Sequence, residues 1–275
     1  MTTTAAIGST FGTWVPAGRL LEIKGHKGGV RSVVYAPDGR SLLSGGEDKT
    51  ICMWEVYTGK QLMCWEMKQV VNQVAISPDG TRIAAVLDDG SVTCFALNTA
   101  SDKPAQTISD KDLENRWADL SGDGGERAYA SVQVLSQAAD AASFFLGKRL
   151  RPAPPLSQVI AELDADDFDR REAASKELAA AGPGIEPVLR KTLENHPSEE
   201  VRSRIEKVLK HIDEWIVTDP DALRALRAIW VLERIGTPEA RAVLQDLAKG
   251  APEVRQTQEA KAALDFLDKR AAAKP

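Results

Sequence analysis

The sequence is poor in the residues that most often announce a chemical activity. It has three cysteines, Cys52, Cys64 and Cys94. No pair of them has the two-residue separation of zinc or thioredoxin-like motifs, so they read as reduced, packed thiols. No apolar run approaches the roughly 18 residues of a membrane span. The opening stretch MTTTAAIGSTFGTW has no basic residue ahead of its apolar positions, unlike a secretory leader. A soluble, cytoplasmic chain with no membrane partner is therefore expected. An excess of positive charge is also missing. Residues 1 to 100 carry nine Lys or Arg and nine Asp or Glu, so the whole net charge of -5 lies in the remainder. Nucleic-acid binding draws most of its affinity from neutralised phosphates, and a neutral front with an acidic back excludes that driving force. No phosphate-cradling glycine loop and no cluster of metal ligands is present, so no cofactor and no metal are expected.

What the sequence does contain is a repeat. A shift of 41 residues places Val33 on Val74, Pro37-Asp38-Gly39 on Pro78-Asp79-Gly80, Leu42 on Ile83, Asp48 on Asp89, Ile51 on Val92 and Trp54 on Phe95, without a gap. Ala17-Gly18-Arg19 falls opposite Thr58-Gly59-Lys60 in the same shift, so an incomplete copy precedes two full ones. The first copy holds short β-rich runs, VRSVVYA, RSLLSGG, TICMWEV and QLMCWEM, separated by PDG, EDK and YTG. Asp-Gly supplies positive φ and the preceding Pro presets the turn, which predicts antiparallel strands, four to a copy. The strands are apolar at nearly every position, as in sheets covered on both faces.

GHKGGVRSVVYAPDGRSLLSGGEDKTICMWEVYTGKQL resembles a WD40 repeat over its whole length, through Gly25-His26, Ala36-Pro37-Asp38-Gly39, Asp48 in a tight turn and Trp54. The resemblance implies a buried hydrogen-bonded chain that locks the blade, made of His26, Ser44, Asp48 and Trp54. A closed chain would satisfy each buried indole, hydroxyl and imidazole. The second copy departs from it, with Met67, Ala85 and Phe95 in place of the His, Ser and Trp and only Asp89 kept. His, Asp and Ser together also suggest a catalytic triad, but blade-locking accounts for all three and for Trp54. A closed propeller needs about four blades or more. Two blades and an edge strand leave apolar faces and strand edges that the helices, another copy or a partner must cover.

Beyond a polar connector over residues 98 to 108, the apolar period becomes helical. Leu113, Trp117 and Leu120 share one face, as do Ala128, Val132 and Leu135, then Val201, Ile205, Val208, Leu209 and Ile212. Ser109 with Asp112 forms a capping-box signature, and Asp219-Pro220 and Thr237-Pro238 each put a capping residue before Pro at a first helical position. Gly182, Gly236 and Gly250 are predicted helix ends in left-handed conformation. Asp164, Asp166, Asp167 and Asp169 read as an acidic helix start rather than a cation loop. Arg202, Arg204, Lys207 and Lys210 read as a solvated face, and Trp117, Trp215 and Trp230 as core. Two stretches within residues 156 to 267 resemble HEAT-like repeats of the phycobilisome-lyase type. The combination resembles large multidomain WD40 proteins of the planctomycete kind.

The expected fold is therefore multidomain, all-β followed by all-α. Two four-stranded WD40-like blades of an incomplete propeller occupy residues 10 to 108, and a HEAT-like α-solenoid expected to fold alone occupies residues 109 to 275. The expected function is a non-catalytic scaffold for protein–protein interaction, with other proteins as partners and association of copies through the open blades. The alternatives are a HEAT-type lyase-associated enzyme or accessory, and a truncated piece of a larger WD40 protein. No catalytic, cofactor-binding or metal-binding residue is assigned.

Overall fold

The computed structural model describes residues 3–6, 20–97, 107–212 and 216–272. Strands β1 (Thr3–Ala6) and β2 (Leu20–Ile23) pair antiparallel. The first repeat forms a four-stranded antiparallel sheet of β3 (Val30–Tyr35), β4 (Ser41–Gly46), β5 (Thr50–Glu55) and β6 (Gln61–Glu66), in sequence order. The second forms β7 (Val71–Ile76), β8 (Arg82–Leu87) and β9 (Val92–Ala96). Two blades are thus present, four-stranded and three-stranded. A fourth strand for the second blade falls on the connector, of which residues 98–106 lie outside the described residues, as does the start of the first unit at residues 10 to 19.

The turns follow from their residues. Gly39 and Gly80 of the two Pro-Asp-Gly turns both have φ of 71°, and Asp38 and Asp79 fold their carboxylates back onto the amides of Arg40 and Thr81. Lys49, between β4 and β5, takes φ of 62° and is held there by its neighbours, since a non-glycine residue rarely adopts that conformation unaided.

Ten helices follow among the described residues: α1 (Asp110–Asp119), α2 (Gly125–Gln137), α3 (Ala139–Arg149), α4 (Leu156–Glu162), α5 (Phe168–Ala180), α6 (Glu186–Glu194), α7 (Glu199–His211), α8 (Pro220–Ile235), α9 (Pro238–Leu247) and α10 (Arg255–Ala272). Ser109, Asp219 and Thr237 cap α1, α8 and α9 as their positions predict, and Asp167 caps α5 from within the acidic stretch. Gly236 ends α8 in left-handed conformation and Gly182 follows α5 with φ of 86°. Gly250 does not have positive φ among the residues so described. Its requirement is space, because a Cβ there would stand 2.6 Å from the Thr257 hydroxyl and 2.7 Å from the Ala153 nitrogen.

Three further expectations change. Cys52 and Cys64, opposite each other on β5 and β6, are joined as a disulfide, and Cys94 is exposed rather than packed. The 12-residue separation carries no motif, and only the hairpin register sets the pair side by side. Arg204 is not part of a solvated face. It is buried and donates to Glu200, Glu172 and the Ser175 hydroxyl, tying α7 to α5. Trp230 is buried and Trp117 packs edge-on against Phe145, whereas Trp215 lies outside the described residues.

The core takes two main parts. One lies among α4 to α7, around Leu163, Leu178, Ile185, Leu189 and Ile205. The other is continuous from the blades into the helices, from Leu43, Ile51, Met53 and Ile83 through Leu120, Val132 and Leu146 to Ile229, Trp230 and Leu244. Helix α2 packs along β6, the edge strand of the first blade, so that edge is covered from within the chain.

A continuous core ties the stability of the two parts together. Urea unfolding followed by tryptophan emission and by helical circular dichroism is expected to give coincident midpoints. Leu43→Ala should lower both together by about 2–5 kcal/mol; a shift confined to one signal would show two independently folding units.

Candidate functional site: the hydrogen-bonded blade and its seam with the helices

The segment between β2 and β3 brings His26 over the end of the first blade, and the β4–β5 turn brings Asp48 to meet it. His26 Nδ1 lies 3.0 Å from both Asp48 carboxylate oxygens, and Nε2 lies 2.6 Å from Ser44 Oγ. Trp54 Nε1 donates to the same hydroxyl at 2.7 Å. All four residues named from the sequence are therefore in one chain of contacts. A carboxylate can only accept, so Nδ1 carries the proton, Nε2 accepts from the Ser44 hydroxyl, and that hydroxyl in turn accepts from the indole.

Thr50 and the Lys27 amide add donors to Asp48, at 2.8 Å each. Burial pushes the Asp48 carboxyl up, but the hydrogen bonds from Thr50, His26 and Lys27 together outweigh it and hold the pKa below its ordinary value. Gly25 is fixed by the same assembly. A Cβ there would sit 2.2 Å from the Trp54 ring, so the backbone lies directly on the indole. Ser44 and Trp54 are both buried, so the hydroxyl end of the array lies in the blade interior, while His26 and Asp48 are half-buried.

The second blade has no such chain. Ala85 is fully buried where the hydroxyl would be, Phe95 packs against Trp65 with centroids 5.5 Å apart, and Asp89 bonds only within its turn, to Ser91. The Ser91 hydroxyl and amide hold the Asp89 carboxyl below its ordinary pKa.

A second polar assembly, unforeseen from the sequence, lies between the first blade and the helices. Arg227 of α8 donates through Nε and Nη2 to the two oxygens of Glu55, at 2.7 Å each, and through Nη1 to the carbonyls of Leu120 and Gly122. Arg227 and Glu55 are both fully buried. Arg40, immediately after the Pro-Asp-Gly turn, pairs with Glu233 of α8 and Glu259 of α10. The indole of Trp230 donates to Asp38 at 3.0 Å. Burial pushes the Glu233 carboxyl up to about 8; Asp38 and Glu259 add to this, while Arg40 opposes it. The signal available in the sequence was a pair of charged residues, Arg227 and Glu233, inside the apolar run of α8. Their partners are 172 and 193 residues away, beyond any local pattern.

Among the described residues, no group of three or more His, Cys, Asp or Glu is placed to hold a metal ion. No helix there is long and apolar enough to cross a membrane. A cleft of about 410 Å³ opens between α4–α5 and the start of α8, with Lys176 at its rim bridged to Asp219 and Asp221.

A sheet pair built from a 41-residue repeat, with a His–Ser–Asp–Trp chain closing one member, is consistent with WD40-like blades followed by a helical region. Residues 18–55 and 59–95 match the family described as "WD domain, G-beta repeat", and the chain carries two WD40 repeats. It is similar to the eukaryotic translation initiation factor 3 subunit I of Scheffersomyces stipitis, at 36% identity over 85 residues, covering 29% of this chain and 24% of that protein. It is also similar to the ribosome biogenesis protein BOP1 homolog of Oryza sativa subsp. japonica, at 41% identity over 70 residues, covering 25% of this chain and 10% of that protein. The chain thus spans a quarter or less of these relatives' length. A solved chain described as "Structure of U3-55K" aligns at 23% identity over 27% of this chain and 25% of its own, with a TM-score of 0.26.

Two groups of variants check the site. Asp48→Ala and Trp54→Phe are expected to cost about 1–3 kcal/mol each by urea midpoint, because each orphans buried partners; Asp89→Ala should cost less, and equal losses would remove the special role of the first blade. Arg227→Ala is expected to cost about 3–5 kcal/mol, because Glu55 is left as an unpaired buried charge.

The pH response has a definite sign. Folding raises the Glu233 pKa from its ordinary 4.5 to about 8, so its stabilising contribution is complete below about pH 4.5 and is lost as pH rises through about 8. The urea midpoint should fall between about pH 5 and about pH 9, and Glu233→Gln should flatten that fall.

Proposed function

We propose that the chain is a non-catalytic scaffold that binds other proteins. The observation that carries this reading is that the Ser44 hydroxyl is buried and shared between His26 and Trp54, while Asp48 is engaged by His26, Thr50 and the Lys27 amide, so the hydrogen-bonding capacity of the array is used within the blade. In that role the four residues act as a blade lock, as the WD40 likeness implies. The names of the relatives support the reading, since one is a subunit of a multi-subunit initiation factor and so assembles with proteins. The family match falls on residues 18–55 and 59–95, the blade pair, so the blades are the part to which a binding role is transferred.

The helices are read as HEAT-like repeats following the blades. Successive helices pack on one another, α4 on α5, α6 on α7 and α8 on α9, as stacked helix pairs do. In this reading residues 10–108 and 109–275 are two units that share a seam. The partners are other proteins, further copies of the chain among them, with neither nucleic acid nor a membrane; the site of action is the cytoplasm. No cofactor is required.

The test is purification of the intact tagged chain from cell extract beside turnover assays on hydrolase and lyase substrates. A stoichiometric protein partner without turnover is the expected outcome. Turnover that disappears in Ser44→Ala or His26→Ala would overturn the scaffold reading in favour of an enzyme.

A further inference from the structure

Cys52 and Cys64 lie on the face of the first blade that carries its hydrogen-bonded chain. Thr50, Cys52 and Trp54 alternate to that face along β5, and the register sets Ser44 on one side of Cys52 and Cys64 on the other. The sulfur pair continues the row that begins at the Ser44 hydroxyl.

The two sulfurs differ in access. Cys52 is 2% exposed, whereas Cys64 is an exposed residue. Both line a cavity of about 390 Å³, which has room for a small molecule. Its rim bears both signs of charge, Lys27 and Lys49 with Asp48 and Glu66, and so sets no preference for a charged visitor.

The hairpin does not need the sulfur–sulfur bond to keep its register. At its turn the Glu55 amide donates to the Lys60 carbonyl and the Gly59 amide to the Glu55 carbonyl, at 2.8 Å each. At its far end the Met67 amide donates to the Lys49 carbonyl at 2.7 Å, and α2 packs along β6. With the bond open, the two side chains still stand opposite each other. As a thiol, Cys52 would have an acceptor, because the Thr50 hydroxyl oxygen lies 3.6 Å from its Sγ. One backbone therefore accommodates both redox states.

We propose that Cys52 and Cys64 form a reversible thiol–disulfide site whose co-reactant is a small thiol. Cys64 is the sulfur that meets the co-reactant, and Cys52 is the one that resolves. On reduction, the thiolate of a small thiol bonds to Cys64 Sγ, and the Sγ–Sγ bond breaks with its electron pair on Cys52, which takes a proton from water. A second small thiolate then attacks the small thiol's sulfur in the mixed disulfide. The products are Cys64, protonated from water, and the disulfide of the small thiol. The pair gains two electrons and two small thiols lose them. Oxidation by the small disulfide runs the same steps backwards. The inference goes beyond the scaffold reading and does not depend on what the chain binds.

The full chain, without denaturant or oxygen, is equilibrated in mixtures of reduced and oxidised glutathione, starting from each redox state. It is then quenched in acid, alkylated with a maleimide and read by peptide mass. The expected result is one two-electron transition of Cys52 and Cys64, the same from both directions, with an unchanged circular dichroism spectrum. Cys52→Ser should accumulate glutathione on Cys64, whereas Cys64→Ser should leave Cys52 unmodified. A pair that opens only in denaturant overturns the inference, as do thiols that stay open in oxidised glutathione, a reduced chain that loses its spectrum, or an adduct on Cys52 in place of Cys64. The equilibrium measurement needs no variant, so it decides the matter even where a substitution impairs folding. None of these results bears on the scaffold reading, which is tested by capture of other proteins and by turnover.

Discussion

The Arg227–Glu55 pair is the interaction on which the arrangement of the molecule depends. A guanidinium that gives two hydrogen bonds to a carboxylate of the first blade and two more to carbonyls at the end of α1 holds three separate elements in one geometry. Burying such a pair adds little over an apolar substitute, but any docking that leaves one charge alone is heavily penalised. Arg40 with Glu259 and the Glu233 carboxyl, and the Trp230 indole with Asp38, add further directed polar contacts along the same seam. An apolar contact alone would allow the helices to slide over the sheet. The charges admit one register.

The two blades show two ways of stabilising the same fold. The first closes a directional chain from indole to hydroxyl to imidazole to carboxylate, in which each member needs the next. The second replaces three of those members together with Met67, Ala85 and Phe95 and relies on packing. Replacing them as a set avoids the half-satisfied network that would be worse than either solution. What survives, Asp89, has become a turn residue. The second blade is held by the first blade on one side, and its far side is where the chain has apolar surface to spare.

Much of this was legible in the sequence because its causes are local. The 41-residue period, the Pro-Asp-Gly turns and the capping residues Ser109, Asp219 and Thr237 act within a few residues of where they are written. His26, Ser44, Asp48 and Trp54 lie within a stretch of 29 residues and belong to one blade, so the WD40 likeness was enough to group them. The seam was not legible, because Arg40, Glu55, Arg227 and Glu233 are ordinary charged residues until the fold brings them together. For the same reason Arg204 looked like a solvated residue, and Cys52 and Cys64 like unrelated thiols. In each case the partner sits across a strand or helix boundary that periodicity does not cross.

The distance along the chain between the seam partners sets an order of events during synthesis. Glu55 leaves the ribosome 172 residues before Arg227, and Arg40 leaves 193 residues before Glu233. At about 5–20 residues per second, the first blade spends roughly ten seconds or more before Glu55 and Arg40 can meet their helix partners, with Thr58 and Asp38 as their neighbours within the blade. The blade can therefore close its own hydrogen-bonded chain early, since all four members have emerged by residue 54, and α2 can cover its edge strand β6 next, but the Glu55 and Arg40 side chains cannot be buried against α8 until that helix arrives. Glu55 and Arg40 keep the helix-facing end of the blade hydrated in the interval. The charges that later fix the docked geometry thus also keep the uncovered end of the nascent blade in water.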